Sequence, residues 1–217
     1  MKNNVTELVF ILDRSGSMAG LEGDTIGGFN AMAEKQKQQP GKCWVTTVLF
    51  DHETVTLHDR ISLDALPKMT EQDYTVRGCT ALLDAVGDTI RHVARIHKYA
   101  RTEDVPEHTL FVITTDGMEN ASHRYTAEDV RRMIKHEQKK YGWEFLFLGA
   151  NMDAVQTAKR YGIGADRAVT YNADSVGTSV AFRAVSEAAC RVRANAPLAA
   201  DWSADIENDH NNRKQQR

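Results

Sequence analysis

Several features that would assign a chain to a special class are scarce in this sequence. It has only three cysteines, placed far apart, so it lacks the disulfide framework of a small secreted domain. We expect Cys43, Cys79 and Cys190 to be reduced, mostly buried thiols. No apolar run approaches the roughly 20 residues that cross a bilayer, so no membrane-spanning helix is predicted. No linker rich in Pro, Gly or Ser divides the chain.

An excess of charge of one sign is also missing. The chain has 27 basic and 30 acidic residues, which gives a formal net charge of −3. This balance argues against nucleic acid or an anionic membrane as the main partner. The polar segment Met1–Glu7 runs directly into a strand-like segment, so we expect no secretory signal. Together with the reduced cysteines, this predicts a cytoplasmic location.

What the chain does have is an alternation of short apolar runs and helix-like stretches. Its 217 residues are enough for one large domain with a sizeable core. Several runs are apolar at consecutive positions, which is typical of parallel strands buried on both faces. The runs are Leu8–Leu12, Trp44–Phe50, Val55–Leu57, Leu110–Ile113, Phe145–Leu148 and Ala168–Thr170. Only Asp51–Thr54 separates the second run from the third, which predicts an antiparallel hairpin at that point.

The segments between these runs have helical patterns. We predict helices at Gly23–Lys37, Leu82–Tyr99, from an N-cap at Thr126, at Asp153–Tyr161 and at Ser175–Val192. Gly27 and Gly28 make the first of these the weakest. The alternation predicts an α/β fold with a doubly wound, mostly parallel six-stranded sheet and helices on both faces. We place this domain at residues 1–195 and expect a polar, mobile tail at 196–217, with Trp202 as its candidate for docking.

Polar side chains follow two of the predicted strands and precede one predicted helix. Asp13, Ser15 and Ser17 come directly after the first strand, and Asp116 follows the run Leu110–Ile113. Thr80 stands just before the helix that begins at Leu82. Because ligands of open α/β sheets bind at the carboxyl ends of the strands, we expect these five side chains to share one edge.

The residue types at this edge suit a hard cation. Two carboxylates and three hydroxyls form an all-oxygen set, which favours Mg²⁺, with Mn²⁺ or Ca²⁺ also possible. Gly16 and Gly117 would let the backbone bend around an ion. The alternative is purely structural, with Ser15 and Ser17 as turn residues and the two aspartates as helix caps.

The same residues resemble a motif of a known family. Asp13-Arg14-Ser15-Gly16-Ser17, followed by Thr80 and then by Asp116-Gly117, resembles the metal-ion-dependent adhesion site (MIDAS) of von Willebrand factor type A (vWA) domains. The resemblance covers roughly residues 6–192 and is closest to bacterial or phage stand-alone members. It implies a Rossmann-like sheet with one antiparallel edge strand.

The resemblance also carries expectations about the site. It implies that Ser15, Ser17 and Thr80 contact the metal directly, with Asp13 and Asp116 acting through water. It further implies that an Asp or Glu carboxylate of a protein partner completes the coordination. The resulting hypothesis is a non-enzymatic interaction module.

The alternative hypothesis is a magnesium-dependent hydrolase or phosphotransferase. In that case Asp13 would be the nucleophile, or Ser15 would be activated by His52 or His123. Against this, no motif places either histidine near a serine. Two acidic residues near the same edge have open interpretations. For Asp51 a turn-forming role is favoured over a role in the rim of the site, and for Glu119 a solvated loop is favoured over a pair with Arg14.

Overall fold

A computed structural model describes residues 4–214 of the chain. Six strands form one sheet: β1 Val5–Asp13, β2 Lys42–Phe50, β3 Thr54–Ser62, β4 His108–Thr115, β5 Glu144–Ala150 and β6 Ala168–Tyr171. Six α-helices accompany them: α1 Glu22–Lys37, α2 Leu82–Tyr99, α3 Ala127–Tyr141, α4 Ala154–Arg160, α5 Ser175–Arg193 and α6 Ala204–Lys214. None of the helices within residues 4–214 has the length and apolar character needed to span a bilayer.

The strand order β3-β2-β1-β4-β5-β6 confirms the predicted sheet. The hairpin of β2 and β3 is antiparallel, and every other neighbouring pair is parallel. The chain winds outward from β1 to β3 and then returns to place β4 on the other side of β1. The strand order therefore reverses between β1 and β4, and the crevice of a doubly wound sheet lies at the carboxyl ends of these two strands.

Two apolar layers sandwich the sheet, and β1 contributes to both. Leu8, Phe10 and Leu12 pack in the layer that contains α1, α5 and α6. Val9 and Ile11 face the opposite layer, with α2, α3 and α4. This alternation buries both faces of β1 and explains its run of consecutive apolar residues.

Helix α1 forms in spite of its two internal glycines because one of them is needed for packing. A Cβ atom on Gly28 would lie 2.4 Å from the ring of Phe182, a residue of α5. Only a residue without a side chain allows the two helices to approach this closely. Gly27 has open space around its Cβ position, so the structure does not explain it in the same way.

The expectation of a mobile tail is wrong for residues 204–214, which form helix α6. Its residue Ile206 is 1% exposed, and Trp202 just before it is 8% exposed. The indole Nε1 of Trp202 donates a hydrogen bond of 2.9 Å to the carbonyl of Asp166, so the predicted docking of this residue is confirmed. The helix has no apolar period, since Ile206 is its one buried residue and other contacts are polar, such as that of Asp209 with Asn172 just after β6. The division of the chain at residue 195 stays a prediction.

The three cysteines are unpaired, as expected, but they differ in burial. Cys43 is buried and Cys190 is half-buried, whereas Cys79 is exposed in the loop before α2. The expectation of burial is therefore wrong for Cys79.

Candidate metal centre

The structure gathers the five predicted residues around the crevice between β1 and β4. Asp13 is the last residue of β1, and Ser15 and Ser17 lie in the turn that follows. Asp116 comes directly after β4, and Thr80 lies two residues before α2. Ser17 is exposed, whereas Ser15 and Thr80 are only 1% and 3% exposed.

Three hydroxyl groups surround a small space beside Gly117. The hydroxyl oxygens of Ser15 and Ser17 are 3.1 Å apart. A Cβ atom on Gly117 would lie 2.8 Å from Thr80 Oγ1, 3.1 Å from Ser17 Oγ and 3.6 Å from Ser15 Oγ. The hydroxyls therefore converge on one point that a larger residue at position 117 would fill.

Asp13 is fully buried, and the protein itself occupies both of its carboxylate oxygens. Oδ1 accepts a hydrogen bond of 2.7 Å from the backbone N–H of Ser15. Oδ2 accepts one of 2.5 Å from the hydroxyl of Thr115. Burial raises the pKa of Asp13 above its ordinary value, although these hydrogen bonds oppose the rise. The Asp13 carboxylate thus organises the turn that contains both serines.

Asp116 is also buried, but it differs from Asp13 in its hydrogen bonds. It is 5% exposed, and within residues 4–214 neither of its carboxylate oxygens receives a hydrogen bond of acceptable geometry. Burial raises the pKa of Asp116, and the nearby Ser17 hydroxyl and the backbone N–H of Asp116 oppose the rise only in part. Buried polar groups without a partner are rare and call for a bound ion or water.

The donor set fits a divalent cation. The negative charge of Asp116 also raises the pKa of Asp13, so the two carboxylates repel each other across the crevice. A cation next to the hydroxyls would relieve this repulsion and would supply the partner that Asp116 lacks. All five predicted donors are oxygens, which matches the preference of Mg²⁺ and Mn²⁺ better than that of Zn²⁺.

A distant loop caps the first turn of α2 and so holds Thr80 in place. The N-cap residue of α2 is Ala81, which has no side chain that could accept a hydrogen bond. Glu119 Oε2 accepts instead from the backbone N–H of Leu83, at 2.9 Å. Asn120 Oδ1 accepts from the N–H of Thr80 at 2.9 Å, and its own N–H donates to the Thr80 carbonyl at 3.0 Å.

Glu119 is therefore a structural residue. The expectation from the sequence, that it belongs to a solvated loop, is wrong. Besides the bond to α2, its carboxylate accepts from the backbone N–H groups of Ala121 and Ser122 and from the Ser122 hydroxyl. The considered pair with Arg14 is not formed, since Arg14 pairs with Asp51.

Asp84 makes the reciprocal connection from the first turn of α2. Its buried carboxylate accepts hydrogen bonds of 2.9–3.0 Å from the backbone N–H groups of His123, Arg124 and Tyr125. Burial alone would raise the pKa of Asp84, but these three N–H groups hold it below its ordinary value. Neither Asp84 nor Glu119 was predicted to matter for the site, because their partners are 36 or more positions away.

Asp51 is a turn former, as favoured, but it also joins two loops of the site. Its Oδ1 accepts from the N–H of Glu53 at 2.7 Å, within the turn between β2 and β3. Its Oδ2 lies 2.9 Å from Arg14 Nε and 2.8 Å from Arg77 Nε. Asp51, His52 and Glu53 also form a cluster of metal-ligand types. The two carboxylates of this cluster are already neutralised by arginines, since Arg14 and Arg77 pair with Asp51 and Arg77 also pairs with Glu53.

The geometry does not favour the hydrolase alternative. A nucleophilic Asp13 would need a free oxygen, yet both of its oxygens accept hydrogen bonds at a fully buried position. His52 Nδ1 pairs with Asp51 at 3.1 Å, and His123 is held through its backbone N–H by Asp84. Within the described residues, the hydrogen-bond partner of the Ser15 hydroxyl is Ser17, not a histidine.

Comparison with known proteins gives matches of structure and not of sequence. No protein-family model matches the chain, and no curated protein matches it. Among solved structures, one similar protein is proximal thread matrix protein 1 from the mussel byssus with a zinc-occupied MIDAS motif. That match has a TM-score of 0.56 and 15% identity and covers 85% of this chain and 46% of the other.

Two further structures come from microbial proteins. A von Willebrand factor type A protein from Catenulispora acidiphila gives a TM-score of 0.56 at 16% identity, with coverage of 85% of this chain and 42% of the other. The vWF domain of the type V pili tip protein Mfa5 from Porphyromonas gingivalis gives 0.56 at 11% identity, with 84% and 94% coverage. The chain thus spans less than half of the first two structures and most of the third. The chain has the fold of von Willebrand factor type A domains.

Proposed function

We propose that the chain is a non-enzymatic interaction module that binds an acidic residue of a protein partner through a divalent metal. Asp13, Ser15, Ser17, Thr80 and Asp116 would hold the ion, with Mg²⁺ as the first choice and Mn²⁺ or Ca²⁺ as alternatives. A bound ion would supply a positive centre with a coordination position open to an oxygen from outside. The observation that carries the proposal is the buried carboxylate of Asp116, which receives no hydrogen bond of acceptable geometry within residues 4–214 and lies near a cradle of hydroxyls.

The residues of the chain support binding rather than turnover. Asp13 and the Thr115 hydroxyl fix the turn of the two serines, and Glu119 and Asn120 fix Thr80. The donors are therefore held in place by contacts that do not involve a ligand. Such preorganisation favours ligand binding because little conformational freedom is lost when the ligand arrives.

The metal part of the proposal is tested by calorimetric titration of the purified chain with Mg²⁺ and Mn²⁺. We expect Ser17→Ala and Thr80→Ala to weaken metal binding without unfolding the protein, while the wild type binds. Ser179→Ala, an exposed serine of α5, is the matched control and should bind as the wild type does. Unchanged affinity in both site variants would contradict the proposed ligand set.

The partner part is tested by selecting peptides from a random display library in the presence of Mg²⁺. We expect the selected peptides to share an Asp or Glu whose change to Asn or Gln abolishes binding, and binding to be lost in chelator. Peptides that bind equally well in chelator, or that lack an acidic residue, would contradict a metal-bridged carboxylate.

The enzymatic alternative is tested with phosphate-ester and acyl-ester substrates in the presence of Mg²⁺. The proposal predicts no turnover above that of a heat-denatured sample. Turnover by the wild type that is lost in Asp13→Asn would overturn the proposed binding module.

The cytoplasmic location stays a prediction.

A further inference from the structure

We infer that Asp51 is a positioning residue that neutralises the charge of Arg14 and so keeps the neighbouring metal centre attractive to a cation. The inference rests on the proposed function, since it concerns the strength of metal binding at the same site. Three observations carry it: the burial of the pair, the place of Arg14 in the site, and the backbone contacts that already hold the loops.

The ion pair between Arg14 and Asp51 is buried. The two side chains are 7% and 0% exposed, and Arg14 Nε lies 2.9 Å from Asp51 Oδ2. Among the described residues, neither Nε nor Nη2 of Arg14 has a hydrogen-bond partner of acceptable geometry, so the contact with Asp51 is one of charge. Within residues 4–214, Asp51 is the only carboxylate that forms an ion pair with Arg14.

Arg14 stands between two of the proposed metal ligands, Asp13 and Ser15. A guanidinium group stays protonated in proteins, so its positive charge is permanent. Water and salt screen a buried charge only weakly, and a second cation nearby is repelled accordingly. A metal-binding loop with an uncompensated arginine at this position would disfavour its own ligand. The Asp51 carboxylate removes this repulsion.

Backbone hydrogen bonds hold these loops together independently of the ion pair. The N–H of Arg14 donates to the Phe50 carbonyl at 2.8 Å, and the Arg14 carbonyl accepts from Arg77 N–H at 2.9 Å. The carbonyl of Asp51 accepts from Ala81 N–H at 2.7 Å, next to Thr80. None of these bonds needs a charged side chain at position 14 or 51. The side-chain pair therefore acts chiefly through charge.

Glu53 provides the contrast. It pairs with Arg77 at 2.7 Å, as Asp51 does, but the Glu53 side chain is 60% exposed. Solvent screens an ion pair at such a position, so its charge has little effect on the site. A comparison of Asp51 with Glu53 separates a buried charge from an exposed one in the same turn.

The test measures Mg²⁺ affinity of the full chain by calorimetry in four variants and the wild type. We expect Asp51→Asn to weaken binding by about 10- to 100-fold, the range found when groups behind metal ligands are changed. Arg14→Met should bind as tightly as the wild type or more tightly. The double variant should recover to within about threefold of the wild type, and Glu53→Gln should bind as the wild type does.

The difference between the two single variants is decisive, because only Asp51→Asn should weaken binding. If the pair were only a tether, Arg14→Met would weaken binding as Asp51→Asn does, and the double variant would recover nothing; that result would overturn the inference. Should Asp51→Asn fail to fold, Arg14→Met and the double variant still decide by the same criterion. A wild type that binds neither Mg²⁺ nor Mn²⁺ would overturn the proposed function and this inference with it. Binding by the wild type and equal binding by Asp51→Asn would overturn the inference alone.

Discussion

The carboxyl ends of β1 and β4 each contribute one carboxylate to the site, and the two carboxylates are stabilised in different ways. Asp13 accepts hydrogen bonds with both oxygens and orders its own turn through the backbone of Ser15. Within residues 4–214, Asp116 accepts none of acceptable geometry, and contacts with α2 order the loop beyond it. One carboxylate is used by the fold, and the other is left free for a ligand. Within one motif, Asp13 therefore serves mainly the structure, and Asp116 is available for binding.

The largest expected effect on stability concerns the hydrogen bonds from the loop after β4 to Asp84 of α2. We expect Asp84→Asn to lower the free energy of unfolding by about 3 kcal/mol at neutral pH, because hydrogen bonds to a buried charge are lost. The lowered pKa of Asp84 means that this stabilisation is present above the ordinary pKa of 3.8 and is lost as the pH falls through the lowered folded-state pKa. Urea unfolding at several pH values measures the difference between variant and wild type.

A matched control is available one turn further along α2. Asp88 pairs with Arg124 and with the Tyr125 hydroxyl, but its side chain is 35% exposed. We expect Asp88→Asn to cost at most about 1 kcal/mol. Equal effects of the two substitutions would show that the buried N–H bonds of Asp84 are not what holds the loop.

A smaller effect compares the two site carboxylates directly in the absence of metal. We expect Asp13→Ala to destabilise the protein by about 1–3 kcal/mol, since it leaves the buried N–H of Ser15 without its acceptor and leaves the Thr115 hydroxyl only the Gly117 carbonyl. Asp116→Ala should leave the stability unchanged or raise it, because it removes a buried charge without a partner. Chemical denaturation in chelator tests both, and equal losses would refute the division of roles.

The smallest effect concerns the cap that Glu119 provides for α2. Glu119→Gln keeps one acceptor oxygen but removes the negative charge at the helix N-terminus, so we expect a loss of about 1 kcal/mol. Glu128→Gln, at an exposed position in the first turn of α3, controls for the general effect of charge near a helix start. Thermal unfolding of the two variants in parallel measures the difference. A Glu119 variant no less stable than the control would show that Glu119 does not stabilise the N-terminus of α2.

The contrast between the loops also explains what could be predicted from the sequence. The three site residues of the turn after β1 lie within five positions, from Asp13 to Ser17, so their pattern can be recognised in the sequence although distant residues such as Thr115 also hold the turn. The cap from Glu119 to Leu83 joins residues 36 positions apart, and no local pattern announces it. The strands were predictable because their consecutive apolar residues reflect burial on both faces.

Helix α6 shows the limit of periodicity. It buries one large apolar side chain, Ile206, and its Arg213 pairs with Asp174 outside the helix and with Asp209 inside it. Such a helix has no apolar stripe, so its sequence has the composition of a tail. Tertiary contacts, and not amphipathic character, specify it.

The measurement that tests the central claim most directly is anomalous diffraction from crystals of the full chain soaked in Mn²⁺. We expect one strong anomalous peak within coordination distance of the hydroxyls of Ser15, Ser17 and Thr80, close to Asp116, and its disappearance in Ser17→Ala crystals. A strong peak at the cluster of Asp51, His52 and Glu53, with none among the three hydroxyls, would contradict it.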